Sequence, residues 1–261
     1  MIDNISIPDK YFSLKSASQT IILNKIGKKL SSMKKIGIIG GLSAESTIEY
    51  YKILLTEYNK REGGASSPLL VIDSLNLEQL MKLAKKDDWD EVFRVILQSA
   101  RNLENAEAEV IIIATNTMHK IFDRLKEVIK TPMISILDVT ARAAQSLHLN
   151  KIGLLGTIFT MQSDFYHKTF QKYDLEVIVP NLKDQQYINE IIFKELTFHI
   201  IKEESKQGYI EVIKHLQEEG AEGVILGCTE IPLLIKEEDS PIPTFDTTTL
   251  HAMAALEYAL Q

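Results

Sequence analysis

Two stretches of this chain are written twice. Laying Leu216 to Glu230 under Leu103 to Thr117 matches Leu103, Ala108, Glu109 and Ile112, and sets Thr115-Asn116-Thr117 over Cys228-Thr229-Glu230, an offset of 113 residues. Upstream, Lys35-Ile36-Gly37-Ile38-Ile39-Gly40-Gly41 matches Lys151-Ile152-Gly153-Leu154-Leu155-Gly156-Thr157 at an offset of 116 residues. Two matches at nearly one offset mark an internal duplication. Two like halves pack about a pseudo-twofold axis, so equivalent loops face each other across a cleft. Thr115 is therefore expected opposite Cys228.

The halves read as α/β. Lys35–Gly40, Pro68–Asp73, Val110–Ala114 and Met133–Leu137 are apolar runs of strand length in the first half. Lys151–Leu155, Leu175–Val179, Gly223–Gly227 and Ile242–Phe245 repeat them in the second. Strands without alternation, each followed by a helical pattern, predict parallel sheets covered on both faces. Ser43 to Lys60 carries apolar residues at helical spacing, as does the segment from Trp89, and Asp138 is expected to cap the helix after the fourth strand. In the second half helices are expected near 161–172, 187–202, 206–219 and 229–236, with a last one from Thr247. The expected fold class is thus α/β with two pseudo-symmetric Rossmann-like lobes, each built on a mainly parallel four-stranded sheet flanked by helices. The active site lies in the cleft between them, because ligands in such sheets sit at the carboxyl ends of the strands. The expected division is 1–32 as an appendage, 33–137 and 138–246 as the lobes, and 247–261 as a C-terminal helix packing back on the first lobe.

Bulk properties exclude several classes of function. With 261 residues, 45% of them hydrophobic, the chain is long enough for two small cores. A net charge of −7 without a basic stripe argues against a nucleic-acid partner. One cysteine excludes an internal disulfide and a multi-thiolate zinc site, and suits a reducing cytoplasm. The six histidines show no pair at i, i+4 spacing, so no metal is expected. Residues 1–32 hold one short apolar run, Ile21-Ile22-Leu23, too little for a signal peptide or a membrane span. Met33 looks like a natural start, which makes the preceding segment an appendage.

Cys228 ends a buried strand and opens Cys228-Thr229-Glu230-Ile231-Pro232, a helix start that tolerates proline in its first turn. A thiol there is expected to have its thiolate favoured by the helix dipole and free N–H groups. No histidine adjoins it to make a nucleophile pair, whereas a base needs only a substrate held within reach in a dry site. Two groups on opposite sides of one carbon can exchange its configuration, one removing the proton and the other returning it. Gly40-Gly41-Leu42-Ser43 fits neither the dinucleotide nor the P-loop pattern, and reads as a tight loop bringing backbone N–H groups to a small anion.

Gly40-Gly41-Leu42-Ser43-Ala44-Glu45-Ser46-Thr47, Thr115-Asn116-Thr117-Met118-His119, Leu155-Gly156-Thr157 and Gly227-Cys228-Thr229-Glu230-Ile231 together resemble the aspartate/glutamate racemases, over nearly all of 33–261. The resemblance implies two-base proton transfer at the α-carbon of an acidic amino acid, without pyridoxal phosphate or any other cofactor. By it, Cys228 serves the L face and Thr115 the opposite face, while Leu42, Ser43, Asn116, Thr117, Thr157, Thr229 and Glu230 bind the substrate. The family usually places cysteine in both lobes, and a subgroup shares the threonine found at 115. Other readings on the same scaffold are a decarboxylase or cis–trans isomerase of small dicarboxylic acids, and a binding protein that has lost the chemistry. The expected partner is a small molecule, with no nucleic acid or membrane, and a homodimer is allowed. His119 is open between tuning the site and a structural hydrogen bond, and Glu230 between a helix cap and a substrate contact. No arginine falls within the motifs, so the group that recognises a side-chain carboxylate is not evident from sequence.

Overall fold

The computed structural model describes residues 33–261; the expected appendage, 1–32, lies outside the described residues. The first lobe runs β1 (Ile36–Gly40), α1 (Ala44–Glu62), β2 (Leu70–Ser74), α2 (Leu77–Lys85), α3 (Trp89–Asn105), β3 (Val110–Ile113), a 3₁₀ turn at Thr117–Ile121, α4 (Phe122–Lys126) and α5 (Ile136–Ser146). The second runs β4 (Lys151–Leu155), α6 (Ile158–Gln162), α7 (Phe165–Gln171), β5 (Glu176–Ile178), α8 (Leu182–Lys194), α9 (Glu203–Glu218), β6 (Gly223–Leu226), α10 (Ile231–Leu234), β7 (Thr244–Asp246) and α11 (Thr247–Ala259). All strand pairs are parallel, in the orders β2-β1-β3 and β5-β4-β6-β7. The orders 2-1-3 and 5-4-6 are one topology used twice, as the duplication requires.

The first sheet has three strands where four were expected. The fourth, Met133–Leu137, is reduced to a single parallel bridge between Met133 and Ile111. Ser135 ends it: its hydroxyl accepts the Asp138 N–H at 3.2 Å and starts α5 one residue later. Ser135, not Asp138, is therefore the cap. The bridge stands where β7 stands in the second sheet, and α5 corresponds to α11.

Several helices are shorter than their periodicity suggests. The expected helix 187–202 stops at Lys194, because Glu195 turns its carboxylate to Ser205 and Lys202 and the chain doubles back through a left-handed His199. The expected 161–172 helix breaks at Ser163 into α6 and α7. Helix α2, between β2 and α3, was not anticipated.

The two C-terminal helices are exchanged between lobes. Helix α11 packs on α1, β1 and β3 of the first lobe and on α5, while α5 packs on α7 and β7 of the second. One apolar core consequently spans both lobes, from Ile36 and Leu54 to Leu154, Phe170 and Leu256. A second cluster fills the outer side of the first sheet around Ile39, Ile96 and Ile111. Among the described residues no helix is long and apolar enough to cross a membrane.

Candidate active site

The strand ends converge on a cavity of about 530 Å³ between the lobes. At the end of β1 the chain turns sharply at Gly41, with φ +69°, where an added Cβ would lie 2.1 Å from the Leu75 carbonyl oxygen. Only glycine fits there. The Gly41 N–H donates to Thr47 Oγ1 at 2.8 Å, so it is not offered to an anion as expected. The N–H groups of Leu42 and Ser43 find no partner among the described residues. Ser43 caps α1 by accepting the Ser46 N–H at 3.3 Å, and its hydroxyl donates to Glu230 Oε1 at 3.1 Å. Its φ of +154° is a backbone conformation ordinarily left to glycine, held by bonds to both lobes.

Thr115 follows β3 and is half-buried at the cavity. Its carbonyl accepts from His119 Nδ1 at 2.8 Å, and His119 Nε2 accepts the Ile136 N–H at 3.0 Å. A carbonyl can only accept and an N–H can only donate, so the ring is neutral with its proton on Nδ1. Burial, then the neighbouring His251, lowers its pKa to about 3. His119 is thus a structural brace between Thr115 and α5. The Asn116 amide is equally committed, donating to Thr247 Oγ1 at 3.1 Å and accepting from Tyr166 Oη at 2.6 Å. What Asn116 and Thr117 leave free are their backbone N–H groups.

From the second lobe, Thr157 spends its hydroxyl capping α6, accepting the Thr160 N–H at 3.3 Å. Cys228 is a half-buried free thiol whose Sγ donates to Glu230 Oε2 at 2.9 Å. Burial pushes its pKa well up, and the Glu230 charge and that hydrogen bond push it further; the N–H groups of Thr229 and Glu230 offset this only in part. The expectation of a thiolate favoured by a helix is therefore corrected. Helix α10 has four residues and begins three past the cysteine, too short and too distant to outweigh desolvation.

Glu230 is the hub of the site. It makes no side-chain capping bond to α10, which removes the cap reading. Its buried carboxylate accepts from Ser43 Oγ, Cys228 Sγ and Thr229 Oγ1, the last at 2.9 Å. Ser46 Oγ lies 2.5 Å from Thr229 Oγ1; since the Thr229 hydrogen goes to the carboxylate, Ser46 is the donor. The two lobes are thereby tied together at the floor of the cleft by a chain of hydroxyls ending on a carboxylate.

Thr115, Cys228, Leu42, Ser43, Asn116, Thr117, Thr157, Thr229 and Glu230 all line this one cavity. Sequence reasoning missed Ser46 and the wall supplied by α2, where Leu77, Met81 and Lys85 face the cavity together with Phe159 and Phe193. The signal for α2 was present in Asn76, whose side chain accepts the Gln79 N–H at 3.3 Å. Among the described residues no arginine lines the cavity. Among the described residues no cluster of histidine, cysteine and acidic side chains could hold a metal.

A hydroxyl and a thiol at equivalent strand ends of two like lobes, facing one cavity, define an interlobe site equipped to act on both sides of a small molecule. The model for the Asp/Glu/hydantoin racemases matches residues 39–255, and the chain belongs to that family, a family of isomerases. It is similar to the broad-specificity amino-acid racemase RacX of Bacillus subtilis (strain 168), with 26% identity over 231 residues, 85% of this chain and 96% of that one. A candidate Asp/Glu racemase from Yersinia pestis superimposes with a TM-score of 0.82 at 41% identity, covering 88% of this chain and 100% of that one. An aspartate racemase homologue from Pyrococcus horikoshii OT3 gives 0.80 at 39% identity, with the same coverage.

Proposed function

We propose that the protein racemises an acidic amino acid by two-base proton transfer, Cys228 serving the L face and Thr115 the other. The observation that carries this is the hydrogen bond from the Cys228 thiol to Glu230 in the one cavity that Thr115 also lines. Among the described residues Glu230 is the only acidic side chain lining it, and burial together with its charge holds the proton on the sulfur. An arriving α-ammonium neutralises that field, which lowers the thiol pKa only when substrate is present. A plain dicarboxylic acid brings no such cation, so Glu230 favours the amino-acid reading over decarboxylation or cis–trans isomerisation.

The unpartnered N–H groups of Leu42, Ser43, Asn116 and Thr117 are suited to the α-carboxylate, where negative charge grows as the Cα proton leaves. Cys228, once substrate has lowered its pKa, gives its hydrogen to water in the cavity and takes the α-proton as a thiolate. The Thr115 hydroxyl delivers a proton to the opposite face and is restored from that same water, so no proton is gained or lost over the cycle. No electron changes hands. A hydroxyl is a poor base beside a thiolate, so turnover starting from the D-enantiomer is the slower direction.

The test is exchange of the α-proton in D₂O, followed by NMR on aspartate and glutamate. Wild type should exchange; Cys228→Ala should lose at least the roughly 10²–10⁴-fold that a general base contributes, with the fold intact. Retention of most of the activity by Cys228→Ala would reject the assignment of the base. Thr115→Ala separates a working hydroxyl from a bystander by whether product of inverted configuration still forms.

A further inference from the structure

We propose that Lys85 binds the side-chain carboxylate of the substrate and so makes this site selective for acidic amino acids. This rests on the racemase reading for the rest of the substrate. Among the described residues the lining contains two charged side chains, Glu230 on the floor and Lys85 on the α2 wall. An acidic amino acid carries one ammonium and two carboxylates, and the floor provides a carboxylate for the first and backbone N–H groups for the second. The third charge, a distal carboxylate, has one cation left to meet.

Lys85 is placed for that. Leu77, Met81 and Lys85 follow one another at i, i+4 and i+8, which puts them on one face of α2, and all three line the cavity. The adjoining face carries Leu80 and Ala84 into the core, so the helix cannot roll without unburying them. Two apolar side chains therefore run along the wall beside the methylenes of a bound substrate and a cation follows them, one helical turn or about 6 Å beyond Met81. The alternative role for a lysine in a last helical turn is to satisfy the helix dipole in solvent. Its neighbour Lys82 is of that kind, pairing with Glu78 at 2.7 Å. Lys85 has no hydrogen bond or ion pair within the described residues, although α2 and the loop after it carry acidic side chains. Lys85 lines the cavity as an exposed side chain with its ammonium uncommitted, in a protein of net charge −7 whose anionic ligand needs a local attractor.

Steady-state kinetics with glutamate and glutamine as the isosteric pair separate this contact from a structural role. Lys85→Gln should raise KM for glutamate roughly 10- to 100-fold, the range of a charge-assisted hydrogen bond, with a much smaller change in kcat. The preference for glutamate over glutamine should collapse with it, and Lys85→Arg should retain most of both. Equal KM and equal preference in wild type and Lys85→Gln would overturn the proposal. Binding of L-glutamate to Cys228→Ala, with and without Lys85→Gln, reads the same contact without turnover. Equal affinities there would overturn it as well. Affinity that depends on Lys85, together with a wild type that exchanges no α-proton, would instead reject the racemase reading and uphold the contact.

Discussion

Cys228 and Glu230 show how two residues set the pH range of a site. A thiol with its pKa pushed up is protonated at neutral pH, and the carboxylate beside it both opposes the thiolate and accepts the thiol hydrogen. Removing that charge should move the pKa down. Alkylation by iodoacetamide in the absence of substrate should therefore rise only above the ordinary thiol range of about 8.5 in wild type, and at a lower pH in Glu230→Gln. Superimposable profiles would mean that burial alone controls the sulfur. The sequence identified the cysteine turn, because a single cysteine after a glycine-ended apolar run stands out. It could not reveal that Glu230 folds back on Cys228, since that depends on how late α10 begins. Nor could it reveal Lys85, which enters the site through the fold of α2 and lies in none of the four motifs.

At the scale of elements, α5 and α11 are held by two buried neutral histidines. His251 on α11 accepts from Tyr50 Oη at Nδ1, 2.7 Å, and donates from Nε2 to the Ile134 carbonyl at 2.9 Å, while His119 braces α5. Burial lowers His251 to about 4 and His119 to about 3. Between those values and an unfolded value near 6.5 the unfolded chain binds more protons than the folded one, so stability falls as pH falls. The expected slope is up to about 1.4 kcal/mol per pH unit for each histidine, from pH 6.5 down to about 4. Urea unfolding at pH 7, 5.5 and 4.5 measures it, and His251→Phe should be less stable at pH 7 yet show a shallower slope. An unchanged slope would assign the acid sensitivity to carboxylates. Most of the elements were legible from apolar runs and duplication. The missing fourth strand was not, because Met133–Leu137 is apolar under either reading and only Ser135, by capping α5, decides between strand and helix.

The whole molecule is two lobes that cannot be taken apart without breaking a core. Helix α11 has ten of its thirteen residues buried, among them Leu250, Met253 and Leu256, so it has no face for solvent and is stable only between both lobes. Each of those side chains contributes about 1.5–3 kcal/mol when buried. The exchange of α5 and α11 across the cleft makes the loss of one lobe expose the helix face of the other. Unfolding should then be one transition, although the chain is large enough for two domains. Trp89, the only tryptophan, packs against Phe159 of the second lobe with ring centroids 5.4 Å apart, so its fluorescence senses separation of the lobes. Far-UV circular dichroism senses the helices of both. The two curves in urea should coincide, and Leu256→Asp, which buries a charge in the shared core, should shift both by the same amount. A fluorescence change that precedes the loss of helix would show that the lobes part while still folded, and that the cleft opens more freely than the exchanged helices imply.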